Sequence, residues 1–177
     1  MTRRMEKVAD LLQSEIAELL RREVKHPALT DVMSGQLSFT FGTQLALEGP
    51  LKTAHNIAAA TGARIMAPTF NGRIARGRGR PLLESVAYPV DEAVAQLKGV
   101  KHLILVGTTE PVAFFAYPGK PGIMSPKDAI SHVLARPDED LPDALERLAD
   151  ELRCPEAPIP EYRTNAAPRS GDVTVQT

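Results

Sequence analysis

The sequence predicts an α/β protein: a Rossmann-like, mainly parallel sheet with helices on both faces, preceded by an extra amphipathic N-terminal helix. Strand-like and helix-like segments alternate from residue 37 to residue 152, as helical crossovers between parallel strands require. Residues 103–106 read Leu-Ile-Leu-Val, a run that is too short for a helix and apolar on both faces, which is typical of a central parallel strand. Residues 2–25 repeat their apolar side chains at three- and four-residue steps, which predicts the amphipathic helix.

Local signals set the bounds of each element. The N-terminal helix stops before Pro27, because the residue before a proline disfavours helical geometry. Pro50 suits the first turn of a helix, and Gly62 suits the position just past its end. The predicted strands span residues 37–41, 63–67, 100–106, 112–117 and 130–135. The predicted helices of the α/β region span residues 50–60, 91–98 and 141–152.

These elements divide the chain into three parts. Residues 1–33 form the N-terminal helix and a connector, and residues 34–153 form the α/β domain. Residues 154–177 contain four prolines and few large apolar side chains, which predicts an extended linker or disordered tail.

Composition excludes several functional classes. The 177 residues are 43% apolar and 24% charged, and the net charge of -1 gives no global attraction to nucleic acid or anionic membrane. The single cysteine, Cys154, rules out an internal disulfide framework. Neither a signal peptide nor a run of about 20 apolar residues is present. We expect a soluble, cytoplasmic protein without a membrane partner.

Loops after the predicted strands supply the candidate binding residues, because ligands of parallel α/β sheets sit at the carboxyl ends of the strands. Gly42 and Thr43 follow the first strand, and Gly107 and Thr108 follow the strand that ends at residue 106. Glycine there can let backbone N–H groups approach a phosphate. The G-x-G-x-x-G pattern is missing, so plain turn residues are an equally open interpretation.

A basic loop is the sharpest local feature between residues 71 and 81. It could bind a diphosphate or RNA phosphates through guanidinium groups, or it could simply be a solvated loop. No aromatic residue is interleaved to stack on bases. The loop contains four arginines and two glycines: Arg73, Arg76, Gly77, Arg78, Gly79 and Arg80.

Residues suited to catalysis are few, and we predict no catalytic or metal-binding residue. The four histidines show no metal-ligand spacing, and no G-x-S-x-G motif occurs. His102 and His132 lie in or beside apolar strands, which favours a structural, hydrogen-bonded role. The acidic residues 138–140 precede a helix, where capping explains them.

Three stretches carry a family resemblance. They are residues 51–64 (LKTAHNIAAATGAR), residues 102–107 (HLILVG) and residues 111–121 (PVAFFAYPGKP), with the Gly77 and Gly79 loop between the first two. Together they resemble the middle domain of acetolactate synthase large subunits and the related benzoylformate decarboxylases, over about residues 39–152. Residues 170–174 resemble the start of the following, diphosphate-binding domain.

The resemblance implies a thiamine-diphosphate-dependent parent enzyme that uses magnesium. In that family, other domains supply the glutamate that activates the thiamine ring and the G-D-G motif that holds magnesium and diphosphate. Gly171, Asp172 and Val173 do not form that motif. Some relatives bind the ADP part of FAD in the middle domain, and the resemblance places Gly42, Gly77, Gly79 and Gly107 where the cleft for that ligand would be. Residues 108–110 replace the arginine-bearing stretch of the FAD-binding relatives, which argues against FAD or ADP. We expect no cofactor in this chain alone.

The opening residues resemble a different family. Residues 4–12 (RMEKVADLL) and 15–29 (EIAELLRREVKHPAL) are similar to the first helix of ribosome-binding factor A, a small KH-type protein of the small ribosomal subunit. The likeness fades after residue 40. The first functional hypothesis is therefore an incomplete, non-catalytic central domain that is structural or weakly nucleotide-binding, and that forms homo-oligomers or joins partner chains carrying the missing domains. The alternative is a ribosome- or RNA-associated factor that uses the N-terminal helix and the basic loop.

Overall fold

The structure, a computed structural model, describes residues 14–20, 37–41, 48–71 and 73–160, with residues 37–41 and 48 described by their backbone alone. Residues 14–20 are helical and are called α1. The remaining helices are α2 (Glu48–Thr61), α3 (Val90–Leu97) and α4 (Leu141–Leu152). The strands are β1 (Leu37–Phe41), β2 (Arg64–Ala67), β3 (Glu84–Ser85), β4 (His102–Val106) and β5 (Ile130–Ala135). The other parts of the predicted N-terminal helix lie outside the described residues.

The five strands form one parallel sheet in the order β3-β2-β1-β4-β5. Every pair is parallel, with Phe39 aligned with Ile65 on one side and with Ile104 on the other. The chain therefore winds outward from β1 in one direction through β2 and then, after α3, in the other direction through β4. This arrangement confirms the predicted Rossmann-like fold class and places a topological switch point between β1 and β4.

Two separate cores cover the two faces of the sheet. Successive strand residues alternate between them: Ile65 and Ile104 belong to the first core, whereas Met66 and Leu103 belong to the second. Helices α1, α2 and α4 contribute to the first core, and α3 contributes to the second. All four of these strand side chains are at most 8% exposed, as expected for strands buried on both faces.

Helix α4 has the bounds predicted from sequence, and its cap explains why. The Asp140 side chain accepts a hydrogen bond from the Asp143 N–H at 3.1 Å, and proline follows in the first turn. Leu141, Leu145 and Leu148 are buried on one face of the helix. The cap and the leucine stripe together orient α4 on the sheet beside α2.

Two features of the sheet differ from the sequence-based prediction. Residues 112–117 were predicted as a strand, and this is wrong: Val112 makes only an isolated antiparallel bridge with Ile123. The short strand β3 was not predicted. Arg64 links it to β2 through a salt bridge to Glu84 at 2.6 Å. Gln96 of α3 accepts from the Ala87 N–H and donates to the Ser85 carbonyl, each at 3.0 Å.

Residues 154–160, the first part of the predicted tail, run along α2. The Ala157 N–H donates to Asn56 Oδ1 at 3.0 Å, and Lys52 forms a salt bridge with Glu156 at 2.6 Å. Lys52 lowers the pKa of the Glu156 carboxyl by hydrogen bonding and by its charge. No helix in the described parts of the chain is long and apolar enough to cross a membrane.

Candidate functional site

A cleft opens at the carboxyl ends of β2 and β4, the edge at which parallel sheets bind ligands. Its volume is about 270 Å3. The loop that follows β2 forms one side, and the loop that follows β4 forms the other. The lining residues are Pro68, Thr69, Phe70, Val86, Tyr88, Thr108, Thr109, Glu110, Pro111, Val112, Phe114 and Met124.

Aromatic rings dominate the rim of this cleft. The chain has five phenylalanines, three tyrosines and no tryptophan. Five of these eight rings form a continuous aromatic cluster through edge-to-face contacts, with centroid distances between 4.7 and 6.2 Å. Phe70, Phe114 and Phe115 are each more than half exposed. The cluster consists of Phe70, Tyr88, Phe114, Phe115 and Tyr117.

The floor of the cleft is apolar, whereas one of its walls is polar. Val86 and Met124, which are 3% and 4% exposed, form an apolar floor that is continuous with the second core. The wall after β4 carries the hydroxyl groups of Thr108 and Thr109 and the carboxylate of Glu110. The Ser131 hydroxyl on β5 donates to that carboxylate. No lysine or arginine occurs among the described residues that line the cleft.

Residues 111–124 form a strap that carries three of the five clustered rings. The Ala113 N–H donates to the Gly122 carbonyl at 2.7 Å, and the Met124 N–H donates to the Pro111 carbonyl at 3.0 Å. These bonds close the base of the strap as a narrow loop. Lys120 near its tip forms a salt bridge with Asp91 of α3.

A pair of tyrosines also joins the strap to the body of the domain. The hydroxyl groups of Tyr88 and Tyr117 lie 3.4 Å apart. Their hydrogen bond is the main cause of a raised pKa for Tyr117, because deprotonation would remove a donor from the pair. The side chains of the strap are therefore held in place although most of them are exposed.

The structure places the predicted cofactor-binding residues at different locations. Thr108 lines the cleft, whereas Gly77 and Gly79 are exposed in the basic loop and are not among the lining residues. Gly42 and Thr43 lie outside the described residues. A ligand contact by any of these residues stays a prediction.

Gly107 has a packing reason to be glycine. Its φ is +66°, and a Cβ built on it would lie 2.3 Å from Leu141 Cδ1. Its N–H donates to the Ala135 carbonyl at 2.8 Å. The N–H of Gly107 is thus bonded within the sheet, and α4 packs directly against its Cα. The close approach of α4 explains why this residue is glycine without invoking a ligand.

The basic loop presents its arginines to solvent. Arg73, Arg76 and Arg78 are exposed. The Arg80 N–H donates to the Gly77 carbonyl at 3.1 Å, and the Arg80 guanidinium donates to the Arg76 carbonyl at 3.4 Å. The loop is therefore a turn stabilised by its own arginine, with several guanidinium groups on its outer side.

Two of the histidines, His102 and His132, and the cysteine have structural environments. His102 Nδ1 and His132 Nε2 lie 3.1 Å apart on neighbouring strands. Burial, and then the charge of His102, lowers the pKa of His132. Burial raises the pKa of the Cys154 thiol, which disfavours the reactive thiolate. Within the described residues, no group of three or more histidine, cysteine or acidic side chains could hold a metal ion.

Sequence reasoning did not identify most of the residues that build the cleft. Phe70, Tyr88 and Glu110 were not singled out, and Phe114 was assigned to a strand. The available signal was an aromatic residue soon after each of two predicted strands, at the edge of the sheet where ligands bind.

The fold and the cleft define an α/β protein of the doubly wound class. Within that class, the chain is 49% identical over 108 residues to a Mycobacterium tuberculosis protein named putative acetolactate synthase large subunit IlvX. The match covers 60% of this chain and 21% of that protein, so the chain spans about a fifth of the relative's length. No family model and no solved structure matches the chain.

This similarity supports the resemblance to acetolactate synthase large subunits that the sequence motifs indicated. The resemblance of the opening residues to ribosome-binding factor A stays a prediction. Of the N-terminal segment, residues 14–20 pack on the first core through Ile16, Ala17 and Leu20.

Proposed function

We propose that the chain is a non-catalytic domain of the central type found in thiamine-diphosphate enzymes of the acetolactate synthase group. The doubly wound parallel sheet, together with 49% identity to a putative acetolactate synthase large subunit, supports this origin. The single observation that carries the non-catalytic role is the chemistry of the cleft. It combines aromatic rings, hydroxyl groups and one carboxylate with no cationic side chain among its described lining residues.

The described residues do not fit thiamine diphosphate and magnesium. A magnesium diphosphate needs carboxylate or amide oxygens for the metal and donors for the phosphates. The described part of the chain offers no cluster of acidic, histidine or cysteine side chains for a metal ion. Glu110 in the cleft would repel a diphosphate rather than bind it.

Nucleotide binding at this edge is expected to be weak. Thr108 and Thr109 can donate hydrogen bonds to a ligand, and the rings of Phe70 and Phe114 can contact a base. The phosphates would find no lysine or arginine among the described residues of the cleft. A nucleotide would thus gain apolar contact without the charge-assisted bonds that give phosphate sites their affinity.

The proposed role includes association with other chains. Ile130 and Val133 on the edge strand β5 are 55% and 43% exposed, and the aromatic cluster exposes further apolar area. Exposed apolar surface on this scale is typical of interaction sites. Sedimentation equilibrium is expected to show a homo-oligomer, and addition of protein that carries the other enzyme domains is expected to show a mixed complex. A strictly monomeric chain that forms no such complex would contradict this part of the proposal.

Calorimetric titration of the purified chain with ADP, FAD and thiamine diphosphate plus magnesium tests the proposal. We expect no heat of binding from thiamine diphosphate and only weak binding, with a dissociation constant of about 1 mM or above, for ADP and FAD. Micromolar binding of thiamine diphosphate that requires magnesium would overturn the non-catalytic assignment.

A second candidate function is RNA association through the basic loop, which the exposure of Arg73 and Arg76 favours. Guanidinium groups pair well with phosphates, and each lost phosphate contact lowers the slope of log affinity against log salt by about 0.7 to 0.9. An R73A/R76A double variant is expected to release RNA at lower salt than the parent protein. The matched control is K98A/K101A, which removes the same charge from exposed residues elsewhere. Equal effects of the two double variants would contradict a specific role for the loop.

A further inference from the structure

The electrostatic character of the cleft distinguishes it from an anion site. Phe70, Tyr88 and Phe114 all line it, and Phe70 packs edge-to-face against each of the other two rings. The face of an aromatic ring is negative, so three aromatic side chains beside one small volume favour a cation over an anion there.

A carboxylate adds a formal negative charge to the same volume. Glu110 lies on the wall after β4 and is half-buried, and the Ser131 hydroxyl donates to its Oε1 atom. This hydrogen bond from Ser131, the second residue of β5, fixes the position of the carboxylate. Partial burial reduces the screening of its charge by water.

The size and the apolar floor of the cleft limit the class of cation that it can bind. The volume of about 270 Å3 is sufficient for a compact organic group, and Val86 and Met124 give it an apolar base. A strongly hydrated metal ion prefers about six oxygen ligands, and the oxygens of Thr108, Thr109 and Glu110 are too few to replace its water shell. A quaternary ammonium is poorly hydrated and carries methyl groups that suit the floor.

We propose that this cleft binds an organic cation of the quaternary-ammonium class, held by Phe70, Tyr88 and Phe114 through cation–π contacts and by the charge of Glu110. The proposal goes beyond the structural role proposed above and does not depend on it. Recognition of this kind is a general property of aromatic cages.

Nuclear magnetic resonance titration with tetramethylammonium and choline, at constant ionic strength, tests the assignment. Amide signals of the loop after β4 are expected to shift in a saturable manner with both cations. The uncharged choline analogue 3,3-dimethylbutan-1-ol has the same shape, and it is expected to bind at least about 10-fold more weakly because cation–π attraction is electrostatic.

Two variants separate charge and ring contributions. Phe114→Leu keeps an apolar side chain but removes the ring, and is expected to weaken tetramethylammonium binding about 2- to 30-fold. Glu110→Gln is expected to weaken the binding of both cations while leaving the binding of the uncharged analogue unchanged. The matched control is Phe115→Leu, because Phe115 is exposed in the same cluster and is not among the residues that line the cleft.

Three results would overturn the proposal. Equal affinities for choline and its uncharged analogue would show that the cleft binds both as a simple apolar groove, and this result would overturn the proposal. Absence of saturable shifts with either cation would overturn it as well, as would equal losses in Phe114→Leu and Phe115→Leu. Phe114 is 63% exposed, so its replacement is not expected to affect folding, and circular dichroism checks this point.

Discussion

Replacement of Gly107 by alanine is expected to destabilise the protein by about 2 to 5 kcal/mol. Two costs add up at this position. The φ of +66° lies in the left-handed region, where a residue with a Cβ loses about 1 to 2 kcal/mol. The new Cβ would also lie 2.3 Å from Leu141 Cδ1, 3.2 Å from Cδ2 and 3.3 Å from Cγ.

The Leu141 side chain has little freedom to avoid this collision. All three of its branch atoms are too close, so rotation of the methyl groups alone does not relieve the contact. Leu141 is 1% exposed and packs in the first core, where overpacking costs about 1 to 3 kcal/mol. Either the Leu141 side chain adopts a less favourable rotamer or helix α4 shifts away from the end of β4.

Urea unfolding followed by circular dichroism measures the effect, and Gly62→Ala is the matched control. Gly62 has a similar φ of +72°, but a Cβ there would meet nothing within 4 Å. The control should show only the backbone cost of about 1 to 2 kcal/mol. If Gly107→Ala were no more destabilising than Gly62→Ala, the packing explanation for Gly107 would be refuted, and its left-handed φ alone would account for this glycine.

Three further predictions concern stability and are measured by urea unfolding. Burial and the charge of His102 lower the pKa of His132 in the folded state, so the unfolded chain binds this proton at a higher pH than the folded chain does. The contribution of His132 to the free energy of unfolding is therefore fully present above about pH 6.5. It is lost as the pH falls below that value, by at most about 1.4 kcal/mol per pH unit. His132→Gln should reduce that pH dependence, and an unchanged slope would contradict the assignment. Asp140→Ala should cost about 1 kcal/mol through loss of the α4 cap, whereas Asp138→Ala should cost less than about 0.5 kcal/mol; equal effects would contradict the cap. Ile104→Ala should cost about 2 to 5 kcal/mol, because Ile104 is fully buried in the first core, and a loss below about 1 kcal/mol would contradict this.

Regular elements with local signals were predictable from the sequence. Helix α4 has its predicted bounds because a capping aspartate, an early proline and a leucine stripe all lie within one short segment. Strand β4 was predictable because four consecutive buried residues serve both faces of the sheet. In each case the determining interactions lie close together along the chain.

The strap shows where local patterns fail. Residues 112–117 have the composition of a strand, yet their aromatic side chains contact one another and remain mostly exposed. The strap instead bonds to itself through Ala113 and Gly122, and Gly119 has a left-handed φ of +74°. The strap forms hydrogen bonds with itself rather than with the sheet. This pairing depends on tertiary structure, and the alternation of residue types along the sequence does not determine it.

The cleft was only partly predictable for a related reason. Its position at the carboxyl end of the sheet follows from the fold class, and Thr108 was identified on that basis. The aromatic cluster joins Phe70, Tyr88 and the strap, which are separated along the chain and meet only after folding. The basic loop, which has the strongest local signal, does not line the cleft.

Formation of acetolactate from pyruvate is the most direct test of the central claim that the chain is a non-catalytic domain. The purified chain is assayed with saturating thiamine diphosphate and magnesium against a reaction without protein. We expect no product above that control. Product that accumulates in proportion to protein concentration would contradict it.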